Sequence, residues 1–537
     1  MVSRAPVRGG RAGDIVSSKG GSDLLSASDV RSREVTSKQP RWTTFLTLVA
    51  VGIVAAIPRV WNLMALGFNS DEAVYAGQAA SIAGDPTYLP YFPIFRAHPL
   101  LFQTMLSIPY QWGVSPLVGR LLSAAFGVAT VWLVYLIGKT LYQRQVGLVA
   151  ALIVALMPYH VVVTRQVLLD GPLTFFSALS LFFLAKFGQT RALPWFYAAF
   201  GAMGLTVLAK ETGIIMFGAI YIFIALVGNV RLRHIFAAAV LFILVILPYP
   251  LSIKFSGHSS TGAQFLSWQL FRRANHAWTF YFTEVPVAVG ILVLIAAAIG
   301  LYLVRKRWSW RETLLVSWIA VPFVFFELWP VKGFQYLLPL AMPLAVLAGL
   351  GVVELSKRDY SVRGHRVSGE VASWIALALV VTTLALTTHS RIQPNRQSTE
   401  FLAGSGGLPG GKQAGEWVAA NTPVGSELLA LGPSMANIIQ FYGNRRAYGL
   451  SVSPNPLHRN PVYDPIHNPD LWIRSNDLQY IVWDSFSAGR SPFFSERLLR
   501  YAERYNGRIV HSEFVELPTS SGEVIRKPVI VIYEVRP

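Results

Sequence analysis

Trp42-Thr-Thr-Phe-Leu-Thr-Leu-Val-Ala-Val-Gly-Ile-Val-Ala-Ala-Ile-Pro-Arg-Val-Trp-Asn-Leu-Met-Ala-Leu66 is the stretch from which the rest of the chain is read. It is about as long as a bilayer span, too long for a signal-peptide core, and no small-residue cleavage pattern follows it. It reads as an uncleaved first span. Residues 1–41 ahead of it hold eight Lys/Arg against four acids and no apolar run, the composition of a disordered basic tail left in the cytoplasm.

Composition agrees with a chain that lies mostly in lipid. Of 537 residues 53% are hydrophobic and only 14% charged, with a mean hydropathy of +0.44, whereas a soluble domain carries about 25% charged residues. Ten further apolar runs fall at roughly 116–137, 146–164, 172–187, 193–209, 212–228, 235–253, 285–304, 312–329, 334–354 and 370–388, giving about eleven spans. With the N-terminus inside, the inner loops hold fourteen Lys/Arg and the outer loops seven. That asymmetry accounts for much of the +18 net charge without nucleic acid as a partner. The absence of cysteine excludes disulfides, thiolate metal sites and a cysteine nucleophile.

An odd number of spans places residues 391–537 outside. There short apolar stretches (Glu427–Leu431, Leu478–Trp483, Pro528–Tyr533) alternate with helix-like segments (Lys412–Ala420, Met435–Tyr442, Pro492–Tyr505) between polar turns. This is the pattern of a small α/β domain. The chain thus divides into a basic tail at 1–41, a polytopic α-helical membrane domain at 42–390 and an extracytoplasmic α/β domain at 391–537. The α/β domain shows no internal repeat, and the chain carries no zinc, calcium or P-loop motif.

The charged residues of the membrane domain gather at one face. Phe68-Asn-Ser-Asp71-Glu72-Ala-Val-Tyr75 puts two adjacent acids at the outer end of the first span, where a carboxylate near hydrocarbon is costly without water, a cation or a task. Asn69 or Ser70 can cap a helix beginning there, and a capped interfacial helix is the plain structural reading of the same residues. Thr164-Arg165-Gln-Val-Leu-Leu-Asp170-Gly-Pro172 brings a further carboxylate, with Arg165 near enough in sequence to pair with it. Arg96, His98, the pair Lys210-Glu211, and Lys332 followed by Tyr336 complete the set. Single cations at helix ends commonly snorkel. Together, carboxylates suited to proton transfer and cations suited to a phosphate at headgroup depth point to an outer-face site for a lipid phosphate.

At these residues the chain resembles the GT-C class of polytopic glycosyltransferases, in the family 39-like branch of protein O-mannosyltransferases and aminoarabinose transferases. The motifs are Asp71-Glu72 with Tyr75-Ala76, His98-Pro99-Leu100, Arg165 to Leu173, Lys210-Glu211-Thr-Gly213, and Lys332 with Gln335-Tyr336-Leu337-Leu338-Pro339. They run in order over about residues 40–355. The resemblance implies a polyprenyl-phosphate sugar donor, an acceptor hydroxyl on a glycan, lipid or protein, and transfer at the outer face with inversion. It implies Asp71 as general base, Glu72 and Asp170 in supporting catalytic roles, and Arg165, Lys210, Lys332 and His98 around the donor phosphate. Tyr75, Glu211 and Tyr336 would contact substrate. Because a lipid phosphate leaves readily, cations suffice and no strong acid is implied.

His98 stands where the family usually has Lys. A divalent ion between Glu72 and a histidine such as His98, His258 or His276 would suit carboxylate and imidazole chemistry, but no ligand spacing supports it; no metal site is assigned and the cofactor stays open. The Trp-Trp-Asp signature of oligosaccharyltransferases is absent, which argues against en bloc transfer to asparagine. The loop at about 254–284 interleaves Trp268 and Trp278 with Arg272, Arg273 and His276, which suits a sugar, an isoprenoid chain or an interfacial anchor. Tyr442, Arg445, Arg446, Trp472 and Trp483 suit either a glycan surface or a domain core. The rival reading from another class is a transporter or flippase of lipid-linked glycans. It expects repeat symmetry and charges at mid-membrane, whereas here the ionisable residues cluster at one end.

Overall fold

A computed structural model of the chain describes residues 41–537 except 95–97, 228–229, 257–263, 266, 270, 273, 363–364, 394–408, 456–457 and 519–522. The tail at 1–40, Arg96, His258 and Arg273 therefore lie outside the described residues.

The apolar runs fold as helices. The first eight are α1 (Arg41–Val60), α2 (Ser70–Ile82), α3 (Leu101–Tyr110), α4 (Pro116–Leu141), α5 (Arg144–Leu156), α6 (Pro158–Thr164), α7 (Asp170–Thr190) and α8 (Leu193–Ala209). Helices Met216–Leu226, Leu232–Ile246, Phe280–Val289, Ile291–Val304, Trp310–Leu328, Ala341–Leu355 and Gly369–Ile392 follow. Among the described residues five helical segments are long and apolar enough to cross a membrane, or seven when each bent pair counts as one span. Two expected spans are therefore not single rods. The run 146–164 breaks by 58° between α5 and α6, and the run 285–304 turns by 90° around Gly290. Pro158 and Gly290, at φ +99°, are the causes: proline cannot donate to the preceding turn, and glycine alone tolerates that backbone.

A break inside lipid leaves carbonyls that water cannot reach, so the protein must supply donors. Arg59, fully buried, does so: Nη1 donates to Ala155 O at 3.0 Å and Ala55 O at 2.6 Å, and Nη2 to Val154 O at 3.4 Å. Thr388 Oγ1 covers Leu156 O at 2.6 Å. Arg59 Nε also donates to Thr164 Oγ1, and Nη2 lies 2.6 Å from His160 Nδ1. The guanidinium thus splices α5 to α6. A side chain at Gly127 would meet this group, since a Cβ there lies 2.7 Å from Arg59 Nε.

Burial sorts the helices. The segment Phe334–Leu355 is central, with 89% of its apolar window covered, whereas Leu232–Phe255 and Gly369–Ile392 have 11% and 17%. Their uncovered faces carry Phe236, Ile243, Leu244, Ile375, Leu379 and Leu386, an apolar surface of the kind lipid covers. The chain is a multi-pass membrane protein.

From residue 409 the chain forms the expected α/β unit. Strands β1 (Tyr360–Val362) and β2 (His365–Val367) pair before the last long helix; five more build one sheet. These are β3 (Glu427–Ala430), β4 (Arg446–Gly449), β5 (Tyr480–Asp484), β6 (Arg508–Pro518) and β7 (Val524–Glu534), in the order β4-β3-β5-β7-β6. The first three are parallel, while β7 runs antiparallel to both β5 and β6. Alternation splits the core: Leu428 and Ala430 face Val418, Ile438 and Ile439, whereas Leu429 and Leu431 join Ile481, Leu498 and Tyr501. The expected strands and helices are present. The edge strands β4 and β6 fall outside the expected stretches, because β4 begins on the exposed Arg446 and ends on Gly449, and β6 carries Arg508, Glu513 and Glu516 along its length.

Candidate active site at the mouth of the helical bundle

Asp71 sits in the first turn of α2, and its neighbours are tied down from several directions. Asn69 caps the helix: its Oδ1 accepts from Glu72 N at 2.9 Å while Glu72 Oε2 accepts from Asn69 N at 3.1 Å, a reciprocal box that satisfies orphan donors. Asn69 Nδ2 donates to Gln166 Oε1 at 2.8 Å, which fastens α2 to the turn before α7. Phe68 N donates to Tyr442 Oη at 2.9 Å, and Asn437 Nδ2 donates to Ser70 Oγ at 3.0 Å. The helix Pro433–Gly443 of the α/β unit therefore grips the residues on either side of the cap. Tyr91 Oη to Asn444 O and Arg446 Nη2 to Pro90 O extend the contact.

Glu72 is buried and fully engaged. Arg120 of α4 donates to it from Nε at 2.9 Å and Nη2 at 2.8 Å, and Val167 N donates to Oε1 at 3.0 Å. The same guanidinium reaches Leu63 O, Leu66 O and Gly67 O, closing the end of the first span. Glu72 thus pairs with Arg120, a cation the sequence reading missed. Its lone pairs leave no opening for the metal considered with His98. Among the described residues no three His, Asp or Glu side chains gather as a metal site.

Asp170 begins α7 and Lys210 ends α8, so the packing of these two helices brings them together. Lys210 Nζ lies 2.9 Å from both Asp170 oxygens and 4.8 Å from the centre of the Tyr336 ring. Arg165 does not pair with Asp170. It donates to Pro58 O and Trp61 O, each at 2.6 Å, because α1 ends beside it with carbonyls in need of donors. Lys332 is held in the same way: Nζ donates to Glu327 O at 2.7 Å and lies 3.3 Å from Glu327 Oε2. Of the three permanent cations expected around the phosphate, Lys210 is therefore the one paired with an expected site carboxylate, Asp170, while Lys332 pairs with Glu327.

His98 Nδ1 lies 2.9 Å from Glu211 Oε2 and its ring meets Tyr75 and Phe265 edge-on. Phe265 brings the loop that carries Trp268 over this corner; there Arg272 stacks on Trp268 at 4.4 Å. Tyr75, one turn along from Asp71, unites the set. Burial pushes its hydroxyl well above the usual range, and the Asp71, Asp170 and Glu211 carboxylates add to the shift. Asp71, Tyr75, His98, Asp170, Lys210, Glu211 and Tyr336 thus share one corner. Of the α/β-unit aromatics, Tyr442 serves the grip on α2, Trp472 packs on Tyr448, and Trp483 donates to Ser495 Oγ.

A family model described as dolichyl-phosphate-mannose-protein mannosyltransferase matches residues 97–251. Among solved structures, ArnT from Cupriavidus metallidurans bound to undecaprenyl phosphate is similar over 92% of this chain and 98% of that one, with TM-score 0.65 and 14% identity. The resemblance is borne out. The Archaeoglobus fulgidus oligosaccharyltransferase tethered with an acceptor peptide has TM-score 0.59 at 14% identity, over 91% of this chain and 74% of that one. The archaeal oligosaccharyltransferase AglB from Archaeoglobus fulgidus in complex with an inhibitory peptide and a dolichol-phosphate has TM-score 0.58 at 13% identity, over 90% of this chain and 74% of that one. No curated protein matches the sequence. The chain has the fold of the GT-C glycosyltransferases, and the matched segment contains His98, Arg165, Asp170, Lys210 and Glu211.

Proposed function

We propose that this protein is an inverting glycosyltransferase that moves a sugar from a polyprenyl-phosphate donor to an acceptor hydroxyl at the outer membrane face. The observation that carries the reading is the fastening of residues 68, 69, 70 and 72, which presents Asp71 near Tyr75 and Asp170, and Asp170 in turn holds Lys210. A carboxylate fixed in this manner suits a general base. Asp71 takes the proton of the acceptor hydroxyl as its oxygen bonds to the anomeric carbon. The bond from that carbon to the phosphate oxygen breaks, and the electron pair leaves with the lipid phosphate. Lys210 stabilises the charge gathering there, with Asp170 and Tyr336 holding its ammonium in place. His98 and Glu211 face the donor headgroup. The N-terminus lies in the cytoplasm and the α/β unit outside, over the acceptor side. The likeness of the fold to ArnT bound to undecaprenyl phosphate supports a lipid-phosphate donor.

The test is transfer from a panel of radiolabelled polyprenyl-phosphate sugars by the purified protein in lipid, wild type against Asp71→Asn. One donor should turn over, and Asp71→Asn should lower its rate by about 10²- to 10⁴-fold. Unchanged turnover in the variant would sink the assignment of Asp71, and movement of the donor between leaflets without transfer would favour the flippase.

A further inference from the structure

The end of the bundle opposite Lys210 carries a second cluster of charge around a cavity of about 250 Å³. It lies where α4 passes into α5, where the chain turns into helix Trp310–Leu328, and where helix Ala341–Leu355 ends. Arg307, Arg311 and Lys357 line it with Glu312 and Glu354. Both carboxylates are occupied. Glu354 binds Arg307 Nη2 at 2.5 Å and Lys357 Nζ at 2.7 Å. Glu312 accepts from Ser309 N at 2.8 Å, Ser309 Oγ at 2.6 Å and Tyr142 Oη at 2.8 Å. Arg311 is the exception: its Nε is buried with no hydrogen-bond partner among the described residues.

A buried charged donor without an acceptor costs free energy that an anion would offset. The cavity keeps an excess of positive charge, and Leu141, Val146, Val304 and Leu350 supply an apolar side. We propose that it binds a phosphate-bearing anion, with Arg311 as the central donor and Arg307 and Lys357 at the rim. The positive-inside count assigns this end to the cytoplasm, where the leaflet is anionic and basic pockets between helices hold lipid headgroups. An anion there would tie α4 and α5 to helices Trp310–Leu328 and Ala341–Leu355, away from the reacting groups.

The experiment follows the unfolding temperature of the purified full-length protein in detergent against short-chain phosphatidylglycerol, inorganic phosphate and short-chain diacylglycerol. Phosphatidylglycerol should stabilise saturably, with affinity about tenfold weaker in Arg311→Gln and largely kept in Arg311→Lys. Phosphate reproducing the shift would make the free anion the ligand; phosphate without effect would assign the lipid headgroup. Stabilisation equal in wild type and Arg311→Gln, or equal with diacylglycerol, would overturn the proposal. Should Arg311→Gln not fold, Lys357→Gln on the exposed rim carries the same test with about a threefold loss.

Discussion

The two ends of the helical bundle hold charge in opposite ways. At the mouth, Glu72 and Arg120 expose 1% and 6% of their side chains, and Asp170 and Lys210 are similarly covered. At the other end, Arg307 and Lys357 are 58% and 50% exposed while gripping one carboxylate. Water screens the second set and leaves its pairs worth little. The first set carries the full desolvation cost, so each ion there depends on its partner. Buried pairing of this kind is poor evidence for stability.

The sharpest way to break the comparison is to remove one buried ion at the mouth. Arg120→Ala leaves Glu72 buried and uncompensated and should cost about 3–5 kcal/mol, read as a large drop in unfolding temperature or loss of folded protein. Asp484 in β5 offers a buried acid with no ion-pair partner among the described residues. Burial raises its carboxyl to about 6 from 3.8, so the folded state favours the proton and stability falls as pH rises through about 6. Relative to Asp484→Asn, which keeps the cap to Ser487 N, wild type should lose about 3 kcal/mol between pH 4 and pH 7. A flat difference across that range would show that the group is not titrating there.

Smaller effects test the grip on α2. Asn437→Ala removes the hydrogen bonds to Ser70 Oγ and Tyr463 Oη, Tyr442→Phe removes the one from Phe68 N, and each should cost about 1 kcal/mol. Asn437→Ala should lower transfer about tenfold with little change in donor affinity, because it loosens the turn carrying Asp71; an unaltered rate would reduce this contact to domain docking. Lys357→Gln should change stability by less than about 0.5 kcal/mol, and a larger loss would mean that the exposed end is more tightly built than its accessibility implies.

Several parts of this molecule were legible in residue order. The apolar runs located the helices because lipid imposes length and composition on a span. Asn69 ahead of Asp71-Glu72 announced a capped helix, and the short apolar stretches between polar turns announced β3, β5 and β7, since capping and strand alternation are local. The gathering of Asp71, His98, Asp170, Lys210 and Glu211 was legible too, because alternating spans return every second loop to one face.

Tertiary structure decided which charge meets which. Arg120 finds Glu72 across 48 positions, and no spacing rule predicts such a pair. Arg59 lay inside an apolar run with nothing to mark it, until the break at Pro158 left carbonyls for it to bind. Arg165 and Lys332 looked like phosphate ligands, yet each ends on the carbonyls at the end of a helix, α1 and Trp310–Leu328. The sequence by itself determined where donors and acceptors occur along the chain. Which of them remain for a substrate depended on where the helices stop and cross, because a buried backbone group claims the nearest side chain that can satisfy it.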